Sequence, residues 1–111
     1  MQISKLKIVD LTQDQLISYL TESILFDYLN VSEEVSILAR EEFYLRTSSQ
    51  QLNLVIIKPV GSELCVDVIG AGGGTGLLGL TWGSEESFVK KMVKDLTDFS
   101  NTVGGSIEVI D

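Results

Sequence analysis

Residues 70–76 read Gly-Ala-Gly-Gly-Gly-Thr-Gly, a glycine-rich run of the kind that binds phosphate groups. Gly74, Gly76 and Gly79 have the G-x-G-x-x-G spacing with which backbone amides and a helix N-terminus hold a pyrophosphate. A dinucleotide fold needs a helix that begins inside this loop, but residues 77–82 have a strand pattern and the next helix is predicted from residue 85. The context disfavours a dinucleotide site. Two interpretations stay open: a wide turn between strands, or a loop that contacts a ligand.

Residues 72–76, Gly-Gly-Gly-Thr-Gly, are similar to the phosphate-binding signature of the tubulin and bacterial division GTPase family. That signature continues with small residues that open a helix beneath the phosphate, whereas this chain has Leu77 and Leu78. The GTPase domain of the family is also much longer than 111 residues. Phosphate or nucleotide binding through the Gly-rich loop 70–79 is therefore the alternative function.

Asp67 is the second feature that has chemical potential, because a carboxylate between Val66 and Val68 is unusual in a strand. Cys65 lies two residues earlier and shares its face, so an enzyme that uses both would need them in a cavity between sheet and helix. The packing interpretation makes Cys65 a small buried hydrophobe. The candidate ligand-binding residues are Gly72, Gly73, Gly74, Thr75, Gly76, Asp67 and Trp82.

Several chemistries are excluded or disfavoured by composition. The chain has no histidine, which removes Ser-His-Asp and Cys-His catalysis and histidine ligation of metals. Glu33, Glu34, Glu41 and Glu42 are acidic neighbours, but no calcium-loop motif accompanies them, so they predict a solvated face. We predict no catalytic residue, no metal and no cofactor.

Charge and cysteine content bound the partners and the compartment. The chain has eight Lys and Arg residues and 16 Asp and Glu residues. The resulting net charge of -8 opposes binding to nucleic acid or to an anionic membrane. A single cysteine permits no internal disulfide, and the first thirty residues lack the pattern of a signal peptide. Apolar runs are too short to span a bilayer. A soluble, acidic, cytoplasmic protein is expected.

Hydrophobic periodicity places the elements that hold these residues. Thr12 and Gln15 form a capping box ahead of a helix predicted over 13–29, which Asn30 ends. Residues 31–45 fit either a strand or a helix, and the alternation favours a strand. A hairpin follows, with strands over 52–57 and 64–69 and a turn of about four residues. Then come a strand over 77–82, a helix over 85–99 and a possible short strand over 107–110.

These elements predict one α+β domain over residues 1–111. It is an antiparallel β-meander sheet with two helices packed on one face, in the order β-α-β-β-β-β-α with a possible short C-terminal strand. Both faces of the hairpin strands are apolar, and 44% of all residues are hydrophobic. So much apolar surface in a small domain predicts self-association, as a dimer or a higher homo-oligomer. The expected function is a non-enzymatic domain that binds a protein partner or a small ligand.

The layout also resembles a small bacterial family of uncharacterised proteins. The shared points are a first strand and helix, a meander with a glycine pair or triplet, and a strand that enters the final helix through Gly, acidic residues and Phe. In this chain these are residues 72–74 and the run 82–88 from Trp82 to Phe88. The resemblance spans most of the chain and implies an uncharacterised domain with no known activity.

Overall fold

The computed structural model describes residues 1–44, 49–72 and 84–110. The elements in chain order are β1 (Gln2–Val9), α1 (Gln13–Ser23), β2 (Tyr28–Asn30), β3 (Ser36–Tyr44), β4 (Ser49–Val60), β5 (Glu63–Gly72), α2 (Ser84–Thr102) and β6 (Ser106–Val109). The strands form one antiparallel sheet in the order β2-β3-β4-β5-β1-β6. The predicted α+β fold, with two helices on one face of this sheet, is confirmed.

The first helix begins as predicted and ends earlier. Thr12 accepts from the backbone N–H of Gln15, and the Gln15 side chain accepts from the N–H of Thr12, so the capping box is present. The helix stops at Ser23, and Ile24 is already extended. The prediction of helix over 24–29 is therefore wrong. Residues Tyr28–Asn30 form an edge strand, because their backbone groups pair with β3.

The meander is confirmed in outline and corrected in detail. The favoured interpretation of 31–45 as strand holds for Ser36–Tyr44. β4 and β5 form the predicted hairpin, but Val60 pairs with Glu63, so the turn has two residues rather than about four. Gly61 opens this turn with a φ of 61°, which glycine adopts without a steric penalty. The strand predicted over 77–82 lies outside the described residues.

The core lies between the sheet and the two helices. The central apolar residues of β1, β3, β4 and β5 that face the helices are buried, and α1 and α2 close over them. The fully buried apolar side chains are Leu6, Ile8, Leu16, Leu20, Leu38, Val55, Ile57, Val66, Val68 and Leu96. The helices also meet each other, since the rings of Tyr19 and Phe99 stack with centroids 4.2 Å apart. The helix predicted over 85–99 is confirmed, and its apolar stripe is core.

The C-terminal strand is ordered by contacts within the same chain. β6 pairs with β1, so Ile107 lies beside Ile8 and packs against the core. The chain reaches this position through Gly104, which has a φ of 85°, and Gly105, whose N–H donates to the carbonyl of Ser100. The possible strand of the prediction is therefore real, as Ser106–Val109.

Candidate functional site

The structure separates the residues that the sequence pointed to. Gly72 is the last residue of β5 and pairs with Gln51. Asp67 lies in the middle of β5, opposite Lys5 of β1 and Ile56 of β4. The other candidates, Gly73, Gly74, Thr75, Gly76 and Trp82, lie outside the described residues. Binding of phosphate or nucleotide by this segment stays a prediction.

Asp67 and Cys65 share one face of β5, as expected, and it is the face turned away from the helices. The intervening Val66 and the following Val68 are fully buried beneath the helices, so the alternation of the strand places both candidates on the opposite side. Both are half-buried there. An enzyme site between sheet and helix would not contain them.

We call this side of the sheet the open face. Cross-strand pairs bring apolar side chains from five strands into adjacent rows, because directly paired residues share a face. We call this set the open-face patch; its members are Ile3, Tyr28, Ile37, Ala39, Leu52, Leu54, Ile56, Ile69 and Ala71. Ile3, Leu52 and Tyr28 are 40%, 39% and 53% exposed. Antiparallel sheets with one solvated face normally carry polar residues on it, so this surface is unusually apolar.

A second feature lies on the helix side of the sheet, at the end where β3 stops and β4 starts, close to residues 40–53. A cavity of about 320 Å³ opens between β3, the end of α1 and the first turns of α2. We call it the α2 cavity; its lining is Ser23, Ile24, Arg40, Glu42, Ser87, Phe88, Lys91, Met92 and Asp95. The lining combines two cations, two carboxylates and three apolar side chains.

Buried amides support one wall of this cavity. Gln51 and Asn53 lie on the helix side of β4, where they are 1% and 0% exposed. Gln51 Nε2 donates to Asn53 Oδ1, and Asn53 Nδ2 donates to Glu42 Oε1 over 2.7 Å. Glu42 was predicted to lie on a solvated face, whereas its carboxylate accepts from Asn53 and lines the cavity. Arg40, Gln51 and Asn53 were not predicted, because Leu54 and Ile56 are as apolar as Val55 and Ile57 and leave the buried face of β4 undecided from sequence.

Ionic contacts on α2 border the cavity. Lys91 Nζ lies 3.2 Å from Asp95 Oδ2, one turn along the helix. Farther along, Lys94 pairs with Asp98 over 2.9 Å, and the carboxylate of Asp98 raises the pKa of Lys94. Within residues 1–44, 49–72 and 84–110, no group of three acidic or cysteine side chains is arranged to hold a metal ion.

Comparison with known proteins places the chain in a family. The family of unknown function DUF6054 matches residues 7–100, which is most of the chain. The chain belongs to this family. No curated protein matches it, and no solved structure does.

Membership in DUF6054 agrees with the resemblance to an uncharacterised family, and it assigns no activity. The matched range runs from Lys7 to Ser100, so it includes β2 to β5 and nearly all of α2. Both the open-face patch, apart from Ile3, and the whole lining of the α2 cavity belong to it. No helix in the described part of the chain is long and apolar enough to cross a membrane.

Proposed function

We propose that this protein is a non-enzymatic, cytosolic domain that self-associates by pairing the open faces of two copies. The observation that carries the proposal is the open-face patch, an apolar surface that continues across five strands. Exposed apolar patches of this extent are typical of interaction surfaces. The lack of histidine supports a binding role, and the single cysteine suits a reducing compartment.

The area of the open face is sufficient for a dimer. The patch occupies three side-chain rows, and the row of Lys58, Cys65 and Lys7 continues the same face as a fourth. Strands about 4.8 Å apart and rows about 6.6 Å apart then give a surface on the order of 600 Å² per copy. Two such faces bury about 1,200 Å², which is at the lower end of stable interfaces. Two sheets packed face to face, about 10 Å apart, form a β-sandwich.

Charge on the open face suits a second copy of the same chain. Lys5 and Asp67 are directly paired across β1 and β5, next to the apolar rows. A two-fold axis presents the same surface from both copies, so Lys5 of one copy can meet Asp67 of the other. The face is then complementary to itself in both hydrophobicity and local charge, although two copies that each carry a net charge of -8 also repel each other.

The proposal is tested by placing a charge in the patch. Leu54 lies near its centre and is half-buried, whereas Val60 lies on the same strand and face, 56% exposed at the hairpin. In Leu54→Glu we expect a monomer by light scattering after size exclusion, because an unpaired carboxylate cannot be buried between two sheets. Val60→Glu is the matched control and should stay dimeric. A wild-type chain that elutes as a 12.2 kDa monomer at high micromolar concentration contradicts the proposal.

A further inference from the structure

The α2 cavity is a second place where the molecule departs from ordinary packing, and it is independent of the open face. It lies on the helix side of the sheet, so pairing of open faces leaves it accessible. Its volume of about 320 Å³ corresponds to the space of about ten water molecules. This is the lower end of the range for small-molecule sites.

Beside this cavity, the polar side chains of β4 face the helices and the apolar side chain between them faces away, which is the reverse of the usual arrangement. Gln51 and Asn53 are buried on the helix side, while Leu52 between them is 39% exposed on the open face. Burial of amides costs free energy unless each of their polar atoms finds a partner. Gln51 Oε1 is buried and accepts no hydrogen bond from any residue that the structure describes. Replacement of both by apolar groups of similar shape is nearly neutral, so a gain in stability does not explain the amides.

The donors and acceptors available at each side chain determine the orientation of both amides. The Glu42 carboxylate only accepts, so Asn53 must present its Nδ2 to it and its Oδ1 to Gln51. Gln51 then presents Nε2, which matches the observed bonds. The chain of donors runs toward Glu42 and fixes this carboxylate at the cavity wall through Oε1.

Arg40 supplies the opposite charge. It lies two residues before Glu42 on the same strand, so both side chains are on the same face about 6.6 Å apart along the backbone. Arg40 is half-buried and forms no ion pair or hydrogen bond with any residue of the described ranges. A guanidinium has five donors and binds a carboxylate in bidentate fashion. A guanidinium that has no partner among the described residues and lines a cavity can bind an anion there.

We propose that the α2 cavity binds a small zwitterion, a free α-amino acid with an apolar side chain being the simplest. Arg40 receives the carboxylate and Glu42, through Oε2, receives the ammonium group. Ile24, Phe88 and Met92 contact the apolar side chain. Lys91 and Asp95 neutralise each other, so the lining has no net charge and disfavours a simple anion or a simple cation.

The test is a titration of the whole chain, followed by amide NMR, with each of the standard amino acids up to about 10 mM. We expect at least one apolar amino acid to shift the amides of residues 40–42 and 87–92. Its deaminated acid and its decarboxylated amine, which each keep one charge, should bind at least about tenfold more weakly. No shift at these residues from any amino acid overturns the proposal, as does equal binding of the acid or the amine.

Variants separate this role from a structural one. Arg40→Gln removes the anion site, and Glu42→Gln keeps the acceptor for Asn53 while it removes the charge. Each should lower affinity at least about tenfold with an unchanged NMR fold pattern. Lys94→Gln is the control, since it removes one cation from α2 away from the cavity. Affinity that is unchanged in both Arg40→Gln and Glu42→Gln contradicts the assignment.

Discussion

At the scale of single residues, the buried amides of Gln51 and Asn53 share one hydrogen bond, and Asn53 donates a second one to Glu42. Removal of one partner leaves the other unsatisfied, which costs about 1–3 kcal/mol, whereas replacement of both by apolar groups of similar shape is nearly neutral. We therefore expect Asn53→Leu to lower the free energy of unfolding by about 2 kcal/mol. The double variant Gln51→Met with Asn53→Leu should recover the part of that loss that comes from the unpaired Gln51 amide, while Glu42 still lacks its donor.

Urea denaturation of the two single variants and the double variant measures this coupling as a double-mutant cycle. Equal m-values would show that the denatured state has not changed. If the losses of the single variants simply add in the double variant, the two amides are not coupled and the described network carries no energy.

Gly105 is a second residue whose identity is set by close contact. A Cβ at this position would lie 2.9 Å from the carbonyl oxygen of Val9, which is backbone and cannot rotate away. Gly105→Ala should lower the free energy of unfolding by about 2 kcal/mol, because β1 or the end of α2 must shift. Thermal unfolding measures the loss. Gly61→Ala is the comparison: its Cβ meets nothing, so it should lose only the cost of a positive φ, about 1 kcal/mol.

Residue-level features were only partly predictable from the sequence. Alternation placed Cys65 and Asp67 on one face correctly, because the side-chain period of a strand is fixed. The burial of Gln51 and Asn53 could not be decided, since Leu54 and Ile56 are as apolar as Val55 and Ile57 and either set could face the helices. The position of Arg40 and Glu42 at a cavity could not be predicted, because it depends on the packing of β3 beside β4 and α2.

At the scale of elements, α1 depends on its N-terminal cap. Thr12 and Gln15 satisfy backbone donors reciprocally, and the helix is only 11 residues long. Thr12→Ala should lower the free energy of unfolding by about 1 kcal/mol. Urea denaturation measures this loss. Thr21→Ala is the control, because its hydroxyl bonds only to carbonyls of its own helix; an equal loss there would contradict a specific role for the cap.

Element boundaries show where local pattern fails. α2 was predictable because its apolar residues repeat at the helical period and all face the core. The end of α1 was not, because Ile24 and Tyr28 continue the helical spacing although the helix ends at Ser23 and Ile24 is extended. Tyr28–Asn30 is a strand through pairing with β3, and hydrophobic periodicity does not report such pairing. The hairpin was predicted, and its shorter turn follows from pairs that continue to Val60 and Glu63.

At the scale of the whole molecule, one sheet has two unlike sides. The helix side holds the core and, at one end, the α2 cavity; the open face holds an apolar patch next to Lys5 and Asp67. Apolar residues on both sides of the hairpin predicted two-sided burial from sequence, and the fold explains one side only. We propose that a second copy covers the other side.

Cys65 gives the most direct test of that claim, because it is the only cysteine and lies half-buried on the open face. The rate at which its thiol reacts with an excess of a thiol-reactive label is measured at protein concentrations from about 500 μM down to about 1 μM. We expect slow labelling in the concentrated sample and several-fold faster labelling on dilution, while Leu54→Glu reacts at the fast rate throughout. A wild-type rate that does not depend on concentration, and equals that of Leu54→Glu, would contradict the burial of the open face by a second copy.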